Sequence, residues 1–349
     1  MLKDLKILDF TTLLPGPFAT WQLAEMGAKI LKISAPNKPD LVLELGPNTP
    51  NGVNANKVWL QNKKKEIFID LKDPKGKEKI KRLILDEGYN VIIEQFRPGV
   101  MGKFGLSYED VKEFKEDIIY VSLSGYGQTG KYKDRAGHDI NYLALSGLMS
   151  YSGRKEGGPV LNAMQIADIV SSKDAIIGIL AAHNKRKETG EGSFIDIGIL
   201  DGMIPFHAMT GAGVLVEPED PRRESQWLNG GSLYDFYETK DGGYMSMGAL
   251  EPKFWKIFCT EIGKEEWIEA GCVCDDAQEK KIELREIFKE KTRDEWVDIF
   301  GDKDCCVEPV LTATETLLKD ENTKQRELVQ TINYDGEKVK VYGNPIKFK

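Results

Sequence analysis

The first half of the chain alternates short apolar runs with amphipathic segments, which predicts alternating strands and helices. Continuous apolar strands between helices are typical of a parallel sheet covered on both faces, so we expect an α/β fold. A Pro- and Asn-rich segment from Ser34 to about Asn62 predicts no regular element. The predicted strands are Leu5–Phe10, Lys29–Ile33, Glu66–Leu71, Asn90–Glu94, Ile118–Ser122 and Phe194–Ile199, and the predicted helices are Pro17–Met26, Pro74–Asp86 and a long buried helix after Asp168.

The loops that follow these strands are the first places to look for a site, because parallel sheets bind ligands beyond the carboxyl ends of their strands. These loops are Thr11–Pro17, Asp70–Asp73, Gln95–Val100 and Ser124–Gly137.

The second half of the chain changes character after an apolar helix, predicted over Asp201–Val216, and a polar, proline-bearing linker, Glu217–Glu224. Alternating segments around Lys240-Asp241-Gly242 predict a hairpin, and three helices follow near Pro252–Ile262, Ala277–Lys291 and Arg293–Phe300. We therefore predict a large domain over residues 1–200, a linker over 201–225 and a small α+β domain over 226–320. The tail, residues 321–349, is expected to complete the large domain.

Composition narrows the class of protein. The chain has 349 residues, 41% of them apolar and 30% charged, with a net charge of −8. Its lysines alternate with acids, which is typical of a solvated surface and disfavours nucleic-acid binding. We expect no apolar run to reach the roughly 18 residues of a membrane span, and the N-terminal residues lack the apolar segment of a signal peptide. These features predict a cytoplasmic protein.

The five cysteines predict reduced thiols, because their number is odd and no export signal is recognised. Cys272-x-Cys274 and Cys305-Cys306 lack the C-x-x-C spacing and have no histidine nearby, so a metal site is disfavoured.

A glycine-rich stretch, Gly125-Tyr126-Gly127-Gln128-Thr129-Gly130, fits G-x-G-x-x-G after a strand. A nicotinamide or flavin site would also need a helix that opens at the third glycine, and the next residues are polar. A glycine loop that lets the backbone approach an oxyanion or a thioester is the favoured interpretation, with Gly125 and Gly127 as the residues of interest.

One of only three histidines, His138, precedes Asp139 where a loop enters a helix. Asp168 lies in an apolar helical pattern, where desolvation would raise its pKa so that it could act as acid or base. A helix cap or a partner for an arginine is the alternative for Asp168. His183 and His207 are interpreted as structural.

Two further residues have open alternatives. Glu251 is either an ordinary acid at a helix start or a site residue, and Arg97 is either a surface arginine or a phosphate contact.

The order of several separate motifs resembles the family III CoA-transferases (the CaiB/BaiF family), and within them the α-methylacyl-CoA racemases. The matching stretches are Pro15-Gly16-Pro17, Asp70-Leu71-Lys72, Phe96–Val100, Ser124–Gly130, Gly137–Tyr142, Ala167-Asp168, Asp196–Asp201, Asn229–Tyr237, Gly248–Pro252 and Cys306–Leu311. The resemblance implies a Rossmann-like large domain with a small domain, in a homodimer whose two subunits interlock. Each active site would lie between the large domain of one subunit and the small domain of the other.

The resemblance also implies residue roles. His138 and Asp168 would be the two acid/base groups, and Glu251 of the other subunit would hydrogen-bond the histidine. The backbone amide of Asp139 would help to hold the thioester oxygen. Arg97, Lys72, Leu71 and Tyr142 would lie near coenzyme A (CoA) or the thioester. No redox cofactor or metal would be needed, because CoA is part of the substrate.

The implied reaction is racemisation of a 2-methylacyl-CoA through an enolate, with one base on each face of the planar intermediate. An alternative is CoA transfer between carboxylic acids with Asp168 as nucleophile; those enzymes generally lack the histidine. A non-catalytic acyl-CoA-binding protein is a third interpretation, which the intact set of His138, Asp168 and Glu251 disfavours. The acyl group stays open: a bile-acid side chain, a branched fatty acyl or a 2-arylpropionyl group.

Two stretches depart from the family pattern. Ile33-Ser34-Ala35-Pro36 lacks the charged residue that often contacts the adenosine end of CoA, and Asn229-Gly230-Gly231 lacks the longer glycine run of many transferases.

Overall fold

A computed structural model describes residues 1–348, which form two compact units. The first unit contains residues 1–146, 162–206 and the tail from Glu321, and the second contains residues 147–161 and 207–320. The segment 147–161 thus groups with the second unit, although the sequence-based division assigns it to the large domain.

The first unit is built on a six-stranded parallel sheet with the strand order β3-β2-β1-β4-β5-β6. The predicted α/β class with a parallel sheet is confirmed. Strand order reverses between β1 and β4, and such a switch point opens a crevice at the carboxyl ends of the strands. The strands are β1 (Lys6–Phe10), β2 (Lys29–Ser34), β3 (Lys64–Phe68), β4 (Val91–Glu94), β5 (Ile119–Ser124) and β6 (Ser193–Gly198).

Helices cover both faces of this sheet and leave two apolar cores. On one face, α1 and α7 pack together over the inward side chains of the central strands, and on the other α3 does so with the short helices after β4. The helices of this unit are α1 (Pro15–Glu25), α2 (Ala55–Leu60), α3 (Pro74–Leu85), α4 (Val100–Lys103), α5 (Tyr108–Lys112), α6 (Asp139–Ser146), α7 (Ile166–Thr189), α8 (Ile199–Met203) and α13 (Glu321–Gln325).

Several parts of the first unit differ from the sequence-based prediction: the third strand lies at Lys64–Phe68 and not at Glu66–Leu71, and the short helices α4 and α5 were not predicted. The segment predicted to be irregular contains α2, whose N-terminus is capped by the Asn54 side chain, which accepts a hydrogen bond from the Lys57 amide. The tail forms an antiparallel hairpin of β10 (Val329–Tyr334) and β11 (Glu337–Tyr342). Its Tyr342 ring lies edge-on against Trp59 of α2, 4.8 Å between centroids.

The second unit has a three-stranded antiparallel sheet, β7 (Asp235–Glu238), β8 (Tyr244–Met247) and β9 (Val307–Pro309). The hairpin β7–β8 was expected and β9 was not, because three residues after a cysteine pair carry no strand pattern. The helices are α9 (Ala208–Val216), α10 (Pro252–Glu261), α11 (Ala277–Lys289) and α12 (Arg293–Phe300). Their aromatic side chains, with Trp255, Phe258 and Phe288 at the centre, form a separate core.

One stretch, Ile199–Val216, is long and apolar enough to cross a membrane by length and composition, with a mean hydropathy of 1.4 over 18 residues, of which 11% is buried. This finding corrects the expectation that no apolar run reaches that length. The stretch is broken at Ala208, which has a φ of +48°. A single helix of this kind is weak evidence for a membrane span.

Candidate active site

The first turn of α1, which follows β1, and the loop after β4 flank the switch point of the sheet and contact each other there. The amide of Gly16, in the Pro15-Gly16-Pro17 stretch that opens α1, donates to the Gln95 side chain across 3.3 Å. Ser172 of α7 lies within 2.7 Å of the Pro15 carbonyl and 2.7 Å of the Asp168 carbonyl, and its hydroxyl donates to one of them. The switch point is thereby joined to the helix that carries Asp168.

His138 is exposed and directly precedes α6. Its backbone amide donates to the Asn141 side chain, 3.0 Å away, and its carbonyl accepts from the Asn141 amide at 2.8 Å. These bonds fix the backbone of His138 as the entry to the helix and leave the imidazole free to face solvent or a ligand. The next two amides, those of Asp139 and Ile140, lie in the first helical turn, where N–H groups lack acceptors inside the helix.

Asp168 lies in the first turn of α7 and is partly buried. Burial, and then the like charge of Asp139, raise the pKa of Asp168 to about 7. A helix N-terminus alone would favour the charged form, so desolvation outweighs the helix dipole at this position. The direction agrees with the expectation from its apolar sequence neighbours.

A hydrogen bond joins Asp168 to Asp139, the residue that follows His138. The Asp139 carboxylate accepts from the backbone amide of Asp168 at 3.1 Å. The structure therefore brings the His138-Asp139 motif to the start of α7, although 29 residues separate Asp139 from Asp168.

The glycine-rich loop after β5 packs against the same motif. Tyr142 of α6 is buried and its hydroxyl donates to the Gly137 carbonyl at 2.8 Å. A Cβ atom on Gly125 would collide with that hydroxyl, and one on Gly137 would lie 2.8 Å from the Tyr142 ring. Gly127 has a φ of +76°, and the next amide, that of Gln128, donates to the Asp196 carboxylate at 3.0 Å. These glycines therefore allow the loop and α6 to approach closely.

Arg97, Lys72 and Leu71 lie in the loops at the same edge of the sheet. Arg97 is exposed on the turn between β4 and α4, and Lys72 is exposed on the loop after β3. The Lys72 amide donates to the Asp70 carboxylate at 2.9 Å, and Leu71 packs against the apolar core beneath. Both basic side chains are thus exposed at the carboxyl edge of the sheet.

Glu251 lies in the second unit, immediately before α10, and is exposed. Its predicted partnership with His138 of another subunit stays a prediction. Among residues 1–348, no cluster of three His, Cys, Asp or Glu side chains is arranged to hold a metal ion.

Sequence reasoning missed Glu94, the last residue of β4. Its side chain is 4% exposed, and burial is the main reason that its pKa rises to about 7. The available signal was an acid at the end of an otherwise apolar strand in a parallel sheet, directly before the loop that carries Arg97.

The first unit therefore combines an exposed imidazole, a carboxyl group with a pKa near neutrality and a close-packed glycine loop at one edge. Comparison with known proteins identifies the family, because the family model for CoA-transferase family III matches residues 2–349. The chain belongs to CoA-transferase family III. Human alpha-methylacyl-CoA racemase is 32% identical to it over 337 residues, covering 96% of this chain and 84% of the racemase.

The family also contains CoA-transferases of similar identity. Mouse succinyl-CoA:glutarate CoA-transferase is 33% identical over 270 residues, covering 77% of this chain and 61% of the transferase. A CAIB/BAIF family protein from Brucella suis has the same fold, with a TM-score of 0.83 at 24% identity, covering 99% of this chain and 92% of that one. Racemases and CoA-transferases are thus both among the relatives of this chain.

Proposed function

We propose that the protein racemises 2-methylacyl-CoA thioesters by moving the α-proton through an enolate. The observation that carries this proposal is the pairing of the His138 motif with Asp168 through the Asp139 carboxylate. A simple nucleophile would not require a second titratable group at this point. A racemase requires two, one for each face of the planar intermediate.

In one direction, His138 removes the α-proton and protonated Asp168 returns a proton to the opposite face. The reverse reaction uses ionised Asp168 as base and the imidazolium of His138 as acid. A carboxyl group with a pKa of about 7 suits both tasks, because its protonated and ionised forms are both abundant at neutral pH. The Asp139 amide is assigned to the thioester oxygen, where an N–H donor stabilises the charge of the enolate.

Coenzyme A is assigned to the carboxyl edge of the sheet. Arg97 and Lys72 would contact its phosphates, Leu71 would supply an apolar contact, and Gly125 and Gly127 would let the backbone approach the thioester. Tyr142 is also assigned near the thioester. Its buried hydroxyl already donates to Gly137, so its contribution would be to hold that loop in place.

CoA transfer with Asp168 as nucleophile is the second candidate, favoured by the similarity to the mouse transferase. The Asp168 carboxylate would attack the thioester to form a mixed anhydride and release CoA thiolate, which would attack the aspartyl carbonyl to give an enzyme–CoA thioester and release the donor acid. The acceptor carboxylate would then displace CoA to form a second anhydride, and CoA would attack its acceptor acyl carbonyl to give the new acyl-CoA and free Asp168. This route makes no use of His138.

We further propose that the protein is a cytoplasmic homodimer with interlocked subunits. The exposed apolar stretch Ile199–Val216 supports this assembly, because a second copy would remove its side chains from water. Glu251 of the second copy would then be the partner of His138.

Racemisation and CoA transfer are distinguished by incubating the protein with one enantiomer of a 2-methylacyl-CoA in D₂O, with and without an acceptor acid. Deuterium at the α-carbon without any acceptor is expected of a racemase. CoA transfer to the acid, abolished by Asp168→Ala and unaffected by His138→Ala, would contradict the racemase proposal. Retained CoA binding with neither activity would instead support a binding protein.

A further inference from the structure

The turn that carries Arg97 is organised by the buried acid that precedes it. Glu94 uses both oxygens of its carboxyl group: Oε2 accepts from the Phe96 amide at 2.7 Å, and Oε1 pairs with the Ser122 hydroxyl on β5. The first bond closes the backbone immediately before Arg97, and the second ties that closed turn to the neighbouring strand. Glu94 therefore helps to fix the direction of the loop, together with the bond from the Val100 amide to the Arg97 carbonyl at 3.1 Å.

A cavity of about 240 Å³ lies beside this turn. Glu94, Arg97 and Ser122 line it together with Gln128 of the glycine-rich loop. The walls away from these polar groups are aromatic, from Tyr108, Tyr120 and Phe194. Arg97 thus borders open space, and the bond from the Phe96 amide to Glu94 holds the backbone directly before it.

Burying a carboxyl group costs stability unless its hydrogen bonds are satisfied. At Glu94 the hydrogen bonds to the Phe96 amide and to Ser122 of β5 offset this cost, and the same bonds hold the turn.

We propose that Glu94 is a positioning residue, whose hydrogen bond to the Phe96 amide holds the Arg97 turn in the conformation that binds the phosphate groups of CoA. This inference rests on the proposed function only in assigning CoA to Arg97. Glu94 itself touches no substrate and takes no part in proton transfer.

The arrangement works in either protonation state. An ionised Glu94 accepts from both partners, whereas a protonated one accepts from Phe96 and donates to the Ser122 oxygen, which can serve as donor or acceptor. A glutamine can make the same two bonds and should replace Glu94 without loss. The titratable and charged groups around Glu94 are Arg97 on its own turn, Tyr108, Glu109 and Asp110 on α5, Tyr120 on β5 and Asp196 on β6.

The test compares Glu94→Ala, Glu94→Gln and Arg97→Ala, with calorimetric titration of CoA and steady-state kinetics on an acyl-CoA. We expect Glu94→Ala to raise the Kd for CoA and the KM about tenfold, with kcat within about twofold, since one well-formed hydrogen bond is lost. Glu94→Gln should restore wild-type values, and Glu94→Ala with Arg97→Ala should bind CoA no more weakly than Arg97→Ala alone. Glu109→Gln, an exposed acid on the same cavity, is the matched control and should change nothing.

Additive losses in the double variant, a fall in kcat without a change in Kd, or an equal defect in Glu94→Gln would overturn the inference. If Glu94→Ala does not fold, the variant Ser122→Ala tests the inference in its place. It should weaken CoA binding about threefold, because it removes the tie to β5, and unchanged binding would overturn the inference. Failure of the wild-type protein to bind CoA would instead overturn the proposed function.

Discussion

At the scale of single residues, Asp168 has the most informative environment in the chain. Its raised pKa has two causes that can be separated by substitution, burial and the charge of Asp139. The sequence predicted the first from the apolar neighbours of Asp168. It could not predict the second, because Asp139 is distant in the chain and meets Asp168 only when α6 and α7 are assembled.

Asp139→Asn should move one limb of the pH–rate profile toward lower pH by up to about one unit. The asparagine oxygen can still accept from the Asp168 amide, so the substitution removes the charge and keeps the hydrogen bond. The profile should be the same for both enantiomers, because either direction uses the singly protonated pair. A pH–rate profile that does not move in Asp139→Asn would contradict the electrostatic role of Asp139. The variant Asp139→Ala also removes the hydrogen bond to the Asp168 amide, so it should lower kcat in addition to moving the profile.

Asp168→Asn should stabilise the protein more at pH 8 than at pH 5. The folded-state pKa of about 7 lies above the ordinary value of 3.8, so the folded protein binds more protons between these values and its free energy of unfolding falls as pH rises through them. The asparagine amide does not titrate, so the variant does not lose stability in this way. Its advantage over the wild-type protein in free energy of unfolding should therefore be about 1–2 kcal/mol larger at pH 8 than at pH 5, allowing for partial exposure. Urea unfolding at fixed protein concentration measures it. The control is Asp134→Asn, a change of an exposed acid, which should alter the free energy of unfolding equally at the two pH values. An equal effect of Asp168→Asn at pH 5 and pH 8 would refute the raised pKa of Asp168.

At the scale of elements, the loops after β4 and β5 were expected at the ligand-binding edge of the sheet because they follow apolar strands. Their internal contacts were not predictable. The hydroxyl of Tyr142 meets Gly125 only because α6 folds back across the loop, and Glu94 closes its turn through a backbone amide that carries no sequence signal. Short elements such as α2 and β9 were missed for a related reason, since three to six residues hold less than two periods of any pattern.

Gly125→Ala should reduce activity strongly, because its Cβ atom would displace the Tyr142 hydroxyl and with it the Gly137 carbonyl next to His138. We expect a loss of about 1–3 kcal/mol in stability from this overpacking, measured by urea unfolding beside the kinetics. Gly130→Ala is the matched control: it has a φ of +82° and open space around the site of a Cβ atom, so it strains the backbone without a collision. Adding Tyr142→Phe to Gly125→Ala should recover part of the loss, and no recovery would argue against the collision.

At the scale of the whole molecule, the order of motifs along the chain allowed the family to be predicted, and the match to the family model confirms it. The expectation that no apolar run reaches the length of a membrane span failed at Ile199–Val216, because Ile199 and Leu200 extend the predicted apolar helix Asp201–Val216 to 18 residues. Assembly is a property of two chains, and a single sequence contains only one side of each interface.

The protein should sediment as a dimer at micromolar concentration, because two copies would cover the apolar side chains of that stretch. Leu215→Glu should shift the equilibrium toward monomer and reduce activity in proportion, whereas Glu217→Lys, in the adjacent linker, should do neither. Analytical ultracentrifugation with activity measured at the same concentrations checks both. A fully active monomer would contradict the proposed sharing of Glu251 between subunits.

The most direct test of the central claim is enantiomer-resolved α-proton exchange in D₂O by the wild-type protein, His138→Gln and Asp168→Asn. The wild-type protein should exchange and invert both enantiomers without an acceptor acid. Each variant should lose inversion and exchange at most one enantiomer, a different one for each, because each retains the base on only one face. Exchange of both enantiomers by either variant, or CoA transfer that survives His138→Gln with no exchange at all, would contradict the two-base mechanism.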